Sequence, residues 1–272
     1  MAIIATVIGI ALLLAAWRAG PWMAERDRRL WTAAAACLLV IGAWFVTYQL
    51  TALSLRLIPW DDAIFFDRLP LYAAIVLLLS VCVRRLERRL MRVGVTTIVA
   101  VFALYAVAEI AAPIPLPLFA DQLSAETGGP AEVTQSTGWS CGAAALAWAA
   151  RLHGIPASER QMAELAVTAP LRGTSTRGML RAMHRVGLDA RAVKPASWED
   201  LAAAPKPALI GWELSTTVAH SALVLSFDGP AAVVEVGDPL SGVMRYSREE
   251  FEARWMHDLI VVTRGDGTAA AH

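Results

Sequence analysis

Hydrophobic positions are distributed unevenly along the chain, with long apolar stretches in the first half and short amphipathic segments in the second. Four stretches of the first half approach or exceed the roughly 17–25 residues that a helix needs to cross a bilayer. The third is interrupted near its start by Asp67, Arg68 and Pro70, so we expect its first turns to lie at the membrane interface. The pattern predicts a transmembrane domain, residues 1–112, whose four helices span about residues 2–17, 31–55, 63–83 and 93–112.

Arginines in the loops between these stretches predict how the chain crosses the membrane. The first and third loops are rich in arginine, whereas the second carries Arg56 and Arg68 beside three aspartates. Because positive loops stay in the cytoplasm, four crossings place the N-terminus and everything after residue 112 outside it. The first stretch has no charged n-region and no small-residue cleavage site, which favours a retained anchor over a signal peptide. We therefore expect a multi-pass protein of the inner (cytoplasmic) membrane with a periplasmic, extracytoplasmic C-terminal domain.

The second half begins with helical patterns and continues with strands. Three prolines and a polar, glycine-containing segment predict a linker at 113–131. Helical periodicity follows, after which apolar and β-branched runs alternate with turn signals such as Asp228-Gly229-Pro230. Ser247 and Glu250 are spaced as a capping box, and Gly187 is a predicted helix stop. Helices followed by an antiparallel sheet predict an α+β domain at 132–265, with a short tail at 266–272.

Composition excludes several functions. The chain is 57% hydrophobic, too apolar for an ordinary soluble protein. Its formal net charge is zero, but residues 1–120 hold 11 arginines against seven acids, and the remainder holds 13 basic residues against 17 acidic ones. The second half has no basic run with interleaved aromatics, so we expect no nucleic-acid partner. Three cysteines without zinc-type spacing predict neither a disulfide framework nor a metal site, and we expect no cofactor.

Cys141 is the candidate nucleophile because a helical pattern begins directly behind it. Ser140 is a candidate N-cap, which places Cys141 in the first helical turn. Unpaired backbone N–H groups and the helix dipole stabilise an anion there and so favour the thiolate. A small, buried, unreactive cysteine is the alternative reading for this residue taken alone.

Two downstream residues suit a general base and its orienting acid. If the two strands flanking Gly229 form a hairpin centred on that residue, His220 lies directly opposite Asp238 on the same face. A thiol, an imidazole and a carboxylate in this order support nucleophilic acyl transfer. The oxyanion then needs preorganised donors, for which the Cys141 N–H and the side-chain amide of Gln135 are candidates.

These residues resemble the landmarks of the papain-like double-glycine leader peptidases, the bacteriocin-processing cysteine peptidases. Gln135 with Cys141-Gly142-Ala143 is similar to the glutamine and nucleophile motif of that family. Later landmarks follow in order: Gly173-Thr174-Ser175, His220, Asp238-Pro239 with Gly242, and Phe251 with Trp255. The resemblance implies a papain-like fold with Gln135 as oxyanion donor, Cys141 as nucleophile, His220 as base and Asp238 as orienting acid. The 272 residues contain no Walker A motif, so the chain resembles a membrane-anchored member without a transporter ATPase.

The sequence thus predicts a membrane-anchored cysteine peptidase that cleaves a peptide or protein substrate through a thioester. The same residues allow two alternative interpretations of the function. One is a catalytically silent peptide-binding module that signals or scaffolds through its transmembrane helices. The other is an acyl or peptidyl transferase whose thioester is resolved by an amine. The expected partners are the substrate and the lipid bilayer, whereas the cleavage motif and the oligomeric state stay open.

Overall fold

A computed structural model of the chain describes residues 1–24, 32, 34, 36–43, 60–127, 131–170, 172–215, 218–229 and 231–264. The chain divides into two compact units, Met1–Ile114 and Pro115–His272. The long apolar helices belong to the first unit, and the strands of the described residues belong to the second.

The first unit is helical. Helix α1 spans Ala2–Ala24, α2 spans Leu69–Arg85 after a 3-10 turn at Asp61–Phe65, and α3 spans Arg89–Ala111. Within the described residues, three helical segments are long and apolar enough to cross a membrane: Ala2–Ala24, Asp61–Arg85 and Arg89–Ala111. Most of the predicted second stretch, 31–55, lies outside the described residues, although 36–43 are helical. The prediction of N-terminal apolar helices is confirmed, with three candidate spans described.

Close packing and an ion pair connect these helices. Gly20 lies so near α2 that an added Cβ would be 1.8 Å from Ser80 Oγ, so only glycine permits this approach. Arg68 Nη1 lies 2.6 Å from Glu109 Oε2, and the Glu109 side chain is 9% exposed. The carboxylate at the end of the last apolar stretch therefore has a cationic partner, as acids in apolar surroundings usually do.

The second unit contains short helices and a sheet. After α4 (Leu116–Phe119), its described helices are α5 (Cys141–Leu152), α6 (Glu159–Leu165), α7 (Thr176–Arg185), α8 (Trp198–Ala203) and α9 (Arg248–Glu252). Its described strands are β1 (Leu188–Val193), β2 (Ala208–Ser215), β3 (Val218–Asp228), β4 (Val233–Asp238), β5 (Gly242–Ser247) and β6 (Trp255–Arg264). Helices α4 to α7 precede the sheet along the chain, whereas α8 and α9 lie between strands, and the predicted α+β class is confirmed.

The described strands form one six-stranded antiparallel sheet in the order β1-β6-β2-β3-β4-β5. Helix α5 packs against β2 and β3, and its Trp148 ring would lie 2.9 Å from a Cβ added to Gly237 of β4. Val236 faces the other side of β4 and belongs to an aromatic-rich core with Trp212, Phe251 and Trp255. Residues 142–150 of α5 are all buried, so this helix is held firmly against the sheet.

Helix ends in this unit follow the local sequence closely. Ser247 and Glu250 form the predicted capping box at α9, and a second capping box joins Ser197 to Asp200 at α8. Gly187 has a φ of +83° just beyond α7, which is the left-handed conformation expected of a helix stop. The sequence prediction of these boundaries is confirmed.

Residues 115–126, called the arm below, precede the sheet domain and contact it. The Ser124 carbonyl accepts a hydrogen bond from the Arg160 N–H at 3.0 Å. Arg160 Nη2 also lies 3.1 Å from Asp121 Oδ1, and Leu123 is buried. Phe119 packs edge-on against Trp139, with ring centroids 6.5 Å apart. The arm is therefore attached to the domain by both polar and apolar contacts.

Candidate active site

Cys141 is the first residue of α5, as the sequence predicts, and its side chain is partly exposed. Ser140 occupies the predicted N-cap position, but its side chain makes no capping hydrogen bond to the helix. The Ser140 hydroxyl instead accepts from the Thr137 N–H at 3.1 Å and donates to the Thr137 carbonyl at 3.1 Å. The first-turn N–H groups of α5 are consequently left without this side-chain cap and can face an anion.

The surroundings of the Cys141 thiol favour the thiolate. Burial acts to raise the pKa of Cys141, but a hydrogen bond with His220 and the charge of that ring outweigh it. Hydrogen bonds from the backbone N–H groups of Ser221 and Gly142 add to this effect, and the net result is a lowered pKa. The sulfur is therefore both ionisable and partly accessible, which a nucleophilic cysteine requires.

His220 lies near the start of β3, opposite Trp212 of β2, and is 4% exposed. Burial acts to lower the pKa of the ring. Hydrogen bonds with Asp238 and Cys141, together with the charges of both, overcome this effect and raise the pKa of His220 to about 9. At neutral pH these interactions favour an imidazolium facing a thiolate, and the two titrations are coupled.

Asp238 ends β4 and holds the far side of the ring. Its Oδ1 lies 2.7 Å from His220 Nε2 and accepts the Leu240 N–H at 2.7 Å. Burial acts to raise the pKa of Asp238, but the His220 hydrogen bond and charge and the N–H groups of Leu240 and Ser241 lower it overall. Since Nε2 is occupied by this carboxylate, Nδ1 is the ring nitrogen left for Cys141.

The predicted register of the hairpin is wrong, although His220 and Asp238 do meet. Leu223 pairs with Gly237 and Val224 with Val236, and a bulge follows at Leu225. Continuing this register places Asp238 opposite Ala222, two residues from His220. The two side chains are therefore diagonal neighbours on one face, which is still within reach of an imidazole and a carboxylate.

Gln135 begins the loop formed by residues 135–140, which precedes Cys141. Its backbone N–H donates to the Pro239 carbonyl at 2.9 Å, so the loop lies beside the segment that follows Asp238. Its side-chain Nε2 donates to the Thr137 carbonyl at 2.9 Å. Its Oε1 is buried and has no hydrogen-bond partner among the residues that the structure describes. The amide thus keeps one N–H of its NH2 group for a further acceptor.

Several groups that interact with the candidate site could not be predicted from the sequence. The N–H groups of Ser221, Gly142 and Leu240 belong to the backbone, which every sequence possesses. Glu159 is a second case: this acid at the start of α6 is 0% exposed and accepts hydrogen bonds from Ser136. An acid in the first turn of a helix usually interacts with the helix dipole at the surface, so its burial was not predictable from the sequence.

Two other described histidines lie beside backbone carbonyls. His184 Nε2 is 3.1 Å from the Ala190 carbonyl, and His257 Nδ1 is 3.3 Å from the Ala196 carbonyl. His272 lies outside the described residues. Among the residues that the structure describes, no group of three or more His, Cys, Asp or Glu is arranged to hold a metal ion.

Comparisons with known proteins identify a family model and several relatives that match this chain. Residues 131–267 match the model of the Peptidase C39 family. An uncharacterized protein of Methanothermobacter marburgensis is 35% identical over 132 residues, which cover 48% of this chain and 87% of that protein. An uncharacterized protein of Methanothermobacter thermautotrophicus is 33% identical over 142 residues, covering 52% and 94% respectively.

Solved structures are similar to about half of this chain. The peptidase domain of Streptococcus ComA, a bifunctional ABC transporter involved in quorum sensing, is 24% identical with a TM-score of 0.44, over 49% of this chain and 97% of that one. A double-glycine motif protease from an AMS/PCAT transporter, in complex with its leader peptide, is 21% identical with a TM-score of 0.44, over 52% and 94%. Given the match of the family model to residues 131–267, this chain belongs to the Peptidase C39 family and is a cysteine peptidase.

Proposed function

We propose that this protein is a membrane-anchored peptidase in which Cys141, His220 and Asp238 form the catalytic triad and Gln135 supplies an oxyanion donor. The observation that supports this most strongly is the position of His220. The ring interacts with the Cys141 thiol on one side and lies 2.7 Å from the Asp238 carboxylate on the other. Removing any of these groups changes either the nucleophile or the proton donor.

Acylation begins from the thiolate–imidazolium pair. The Cys141 sulfur attacks the carbonyl carbon of the scissile peptide bond, and the carbonyl oxygen becomes an oxyanion. As the C–N bond breaks, the His220 imidazolium gives its proton to the leaving amine. The C-terminal part of the substrate departs, and the N-terminal part stays on Cys141 as a thioester.

Hydrolysis of the thioester returns the enzyme to its initial state. The neutral His220 ring accepts a proton from water as the oxygen attacks the thioester carbonyl. The thiolate leaves and the acid product is released. Throughout both steps the Asp238 carboxylate holds Nε2–H, which fixes the tautomer and keeps Nδ1 directed at the reacting atoms.

The oxyanion is formed twice, and two donors suit it. One is the Cys141 backbone N–H at the start of α5. The other is the Gln135 side chain, whose Nε2 uses one N–H on the Thr137 carbonyl at 2.9 Å and has a second available. Removing one such donor from an acyl-transfer enzyme typically costs 10²–10³-fold in kcat.

We also propose that the peptidase unit faces the extracytoplasmic side of the membrane, where it cleaves a peptide or protein substrate. Three apolar helices of the described residues support anchoring, and the arginine-rich first and third loops support this orientation. An alkaline phosphatase reporter fused behind His272, which is active only outside the cytoplasm, should be active. Activity of a cytoplasm-specific reporter at the same position would refute the orientation.

The decisive test of the triad is the replacement of Cys141. A Cys141→Ala variant should insert and fold normally but should leave its substrate uncut, so the uncut precursor should accumulate in the cell envelope. Cys82→Ala is the matched control because Cys82 is an exposed cysteine of the membrane unit and should leave processing unchanged. Comparison of envelope proteins by mass spectrometry measures both effects. Unchanged processing by Cys141→Ala would reject the proposed nucleophile.

A further inference from the structure

Glu159 is a fully buried acid whose hydrogen bonds lead to the active site. It is the first residue of α6 and is 0% exposed. Its Oε1 accepts the Ser136 N–H at 2.8 Å. Its Oε2 accepts the Ser124 N–H at 3.0 Å and also the Ser136 hydroxyl. Both oxygens are thus used to hold chain segments other than α6 itself.

The first of these segments is the 135–140 loop. Ser136 lies directly between Gln135, whose N–H bonds the Pro239 carbonyl, and Thr137, whose carbonyl accepts from the Gln135 side chain. Pro239 therefore holds the loop from the Asp238 side, and Glu159 holds it from the α6 side. A shift of Ser136 would move the Gln135 amide, because the two residues are covalent neighbours.

The second segment is the arm. Ser124 donates to the same carboxylate as Ser136, and its carbonyl accepts the Arg160 N–H, so the arm and the 135–140 loop meet on one side chain. The arm also reaches the loop at Trp139, through Phe119. The arm precedes residue 131, at which the family match begins.

We propose that Glu159 is a positioning residue for this reaction. Its carboxylate holds the 135–140 loop against the arm, in the conformation that presents the Gln135 side chain to the oxyanion. This inference rests on the proposed role of Gln135. A buried carboxylate suits the task because its two oxygens accept several N–H and O–H donors, whereas an amide has only one accepting oxygen. The function requires a fixed loop because a donor displaced by about 1 Å loses much of its effect.

The test compares two reactions of Cys141 in the full chain reconstituted in nanodiscs. Turnover of 4-nitrophenyl acetate passes through an oxyanion. Alkylation by iodoacetamide, followed by mass spectrometry of the Cys141 peptide, needs only the thiolate. In Glu159→Gln an NH2 group replaces one of the two carboxylate oxygens. In either orientation of the amide, this NH2 group faces at least one backbone N–H. We expect about a tenfold loss of ester turnover, because a buried donor is left unpaired, and an alkylation rate within twofold of the wild type.

Three further variants make the outcome decisive. Ser136→Ala removes one donor and keeps Glu159, and it should lower ester turnover by about two- to fivefold without changing alkylation. Glu164→Gln alters an exposed acid of the same helix and should change neither reaction. Gln135→Ala should lower turnover about 10²–10³-fold and keep alkylation.

The failures are distinguishable. If Gln135→Ala loses turnover while Glu159→Gln and Ser136→Ala retain it, the positioning role of Glu159 is wrong and the proposed function stands. If alkylation falls together with turnover in Glu159→Gln, the residue acts on the nucleophile or the fold, and the inference is also wrong. If Gln135→Ala keeps full turnover, the oxyanion assignment fails, and the inference fails with it.

Discussion

Replacement of Asp238 by asparagine tests whether its charge helps to lower the pKa of Cys141 through His220. Asparagine keeps an oxygen that can accept from His220 Nε2 and from the Leu240 N–H, both of which lie 2.7 Å from Oδ1. It removes the negative charge. Asp238→Asn should therefore preserve the orientation of the ring while making the imidazolium less stable.

The size of the effect follows from the pKa of His220. The difference between the ordinary value of 6.5 and about 9 corresponds to about 3 kcal/mol in favour of the imidazolium. Asp238 and Cys141 share this stabilisation, which also overcomes burial, and Asp238 contributes the larger hydrogen-bond effect. We expect loss of its charge to lower the pKa of His220 by at least about one unit, or about 1.4 kcal/mol.

Cys141 should respond in the opposite direction. Without the imidazolium charge the thiolate is less favoured, so the pKa of Cys141 should rise. The pH at which alkylation of Cys141 by iodoacetamide is half-maximal should increase by about one unit, with rates about tenfold lower below that midpoint. Well above pH 9 the variant and the wild type should react alike, because the thiol then ionises without help.

The matched control is Asp228→Asn, which changes an exposed acid on the same hairpin and should leave the alkylation profile unchanged. A profile of Asp238→Asn that superimposes on the wild type would refute the argument, because it would mean that the carboxylate does not stabilise the ion pair. Parallel shifts in both variants would attribute the effect to general surface charge and not to the contact with His220.

Two further predictions concern pH and packing. Peptide cleavage should decline as the pH rises through about 9, because His220 then loses the proton that the leaving amine requires. A pH profile of kcat/KM without a decline near this value would contradict the role of His220 as proton donor. Gly237→Ala should lower the stability of the peptidase unit by about 1–3 kcal/mol, since the added Cβ would lie 2.9 Å from the buried Trp148 ring. The control Gly138→Ala adds its Cβ to open space and should leave the stability unchanged. Thermal unfolding measures both variants, and equal Tm values would show that β4 can move away from α5 at no cost.

Local structure in the peptidase unit could be predicted because its signals lie within a few residues of one another. The Ser247–Glu250 capping box, the Gly187 helix stop and the start of α5 at Cys141 all depend on short-range hydrogen bonding and backbone sterics. Apolar length likewise identified the candidate spans in the first unit. Such features depend little on the rest of the fold.

Predictions that depended on pairing were less accurate. The register of the β3–β4 hairpin was wrong because the bulge at Leu225 and the turn with Ala232 at a φ of +49° shift the ladder. Neither Leu225 nor Ala232 is a glycine, so the residue type does not indicate the bulge or the positive φ. Ser140 is at the predicted N-cap position, but its hydroxyl bonds Thr137 within the loop and makes no capping bond to the helix.

The sequence by itself determined the order of elements, the membrane-length helices and the identity of a thiol, an imidazole, a carboxylate and an amide suited to acyl transfer. Only the tertiary structure decided how they meet. Asp238 reaches His220 diagonally, the N–H groups of Ser221 and Gly142 face the sulfur, and Glu159 is buried between the arm and the 135–140 loop. Local propensity fixes each segment separately, whereas these contacts join residues distant along the chain and form only when α5, α6 and the sheet pack together.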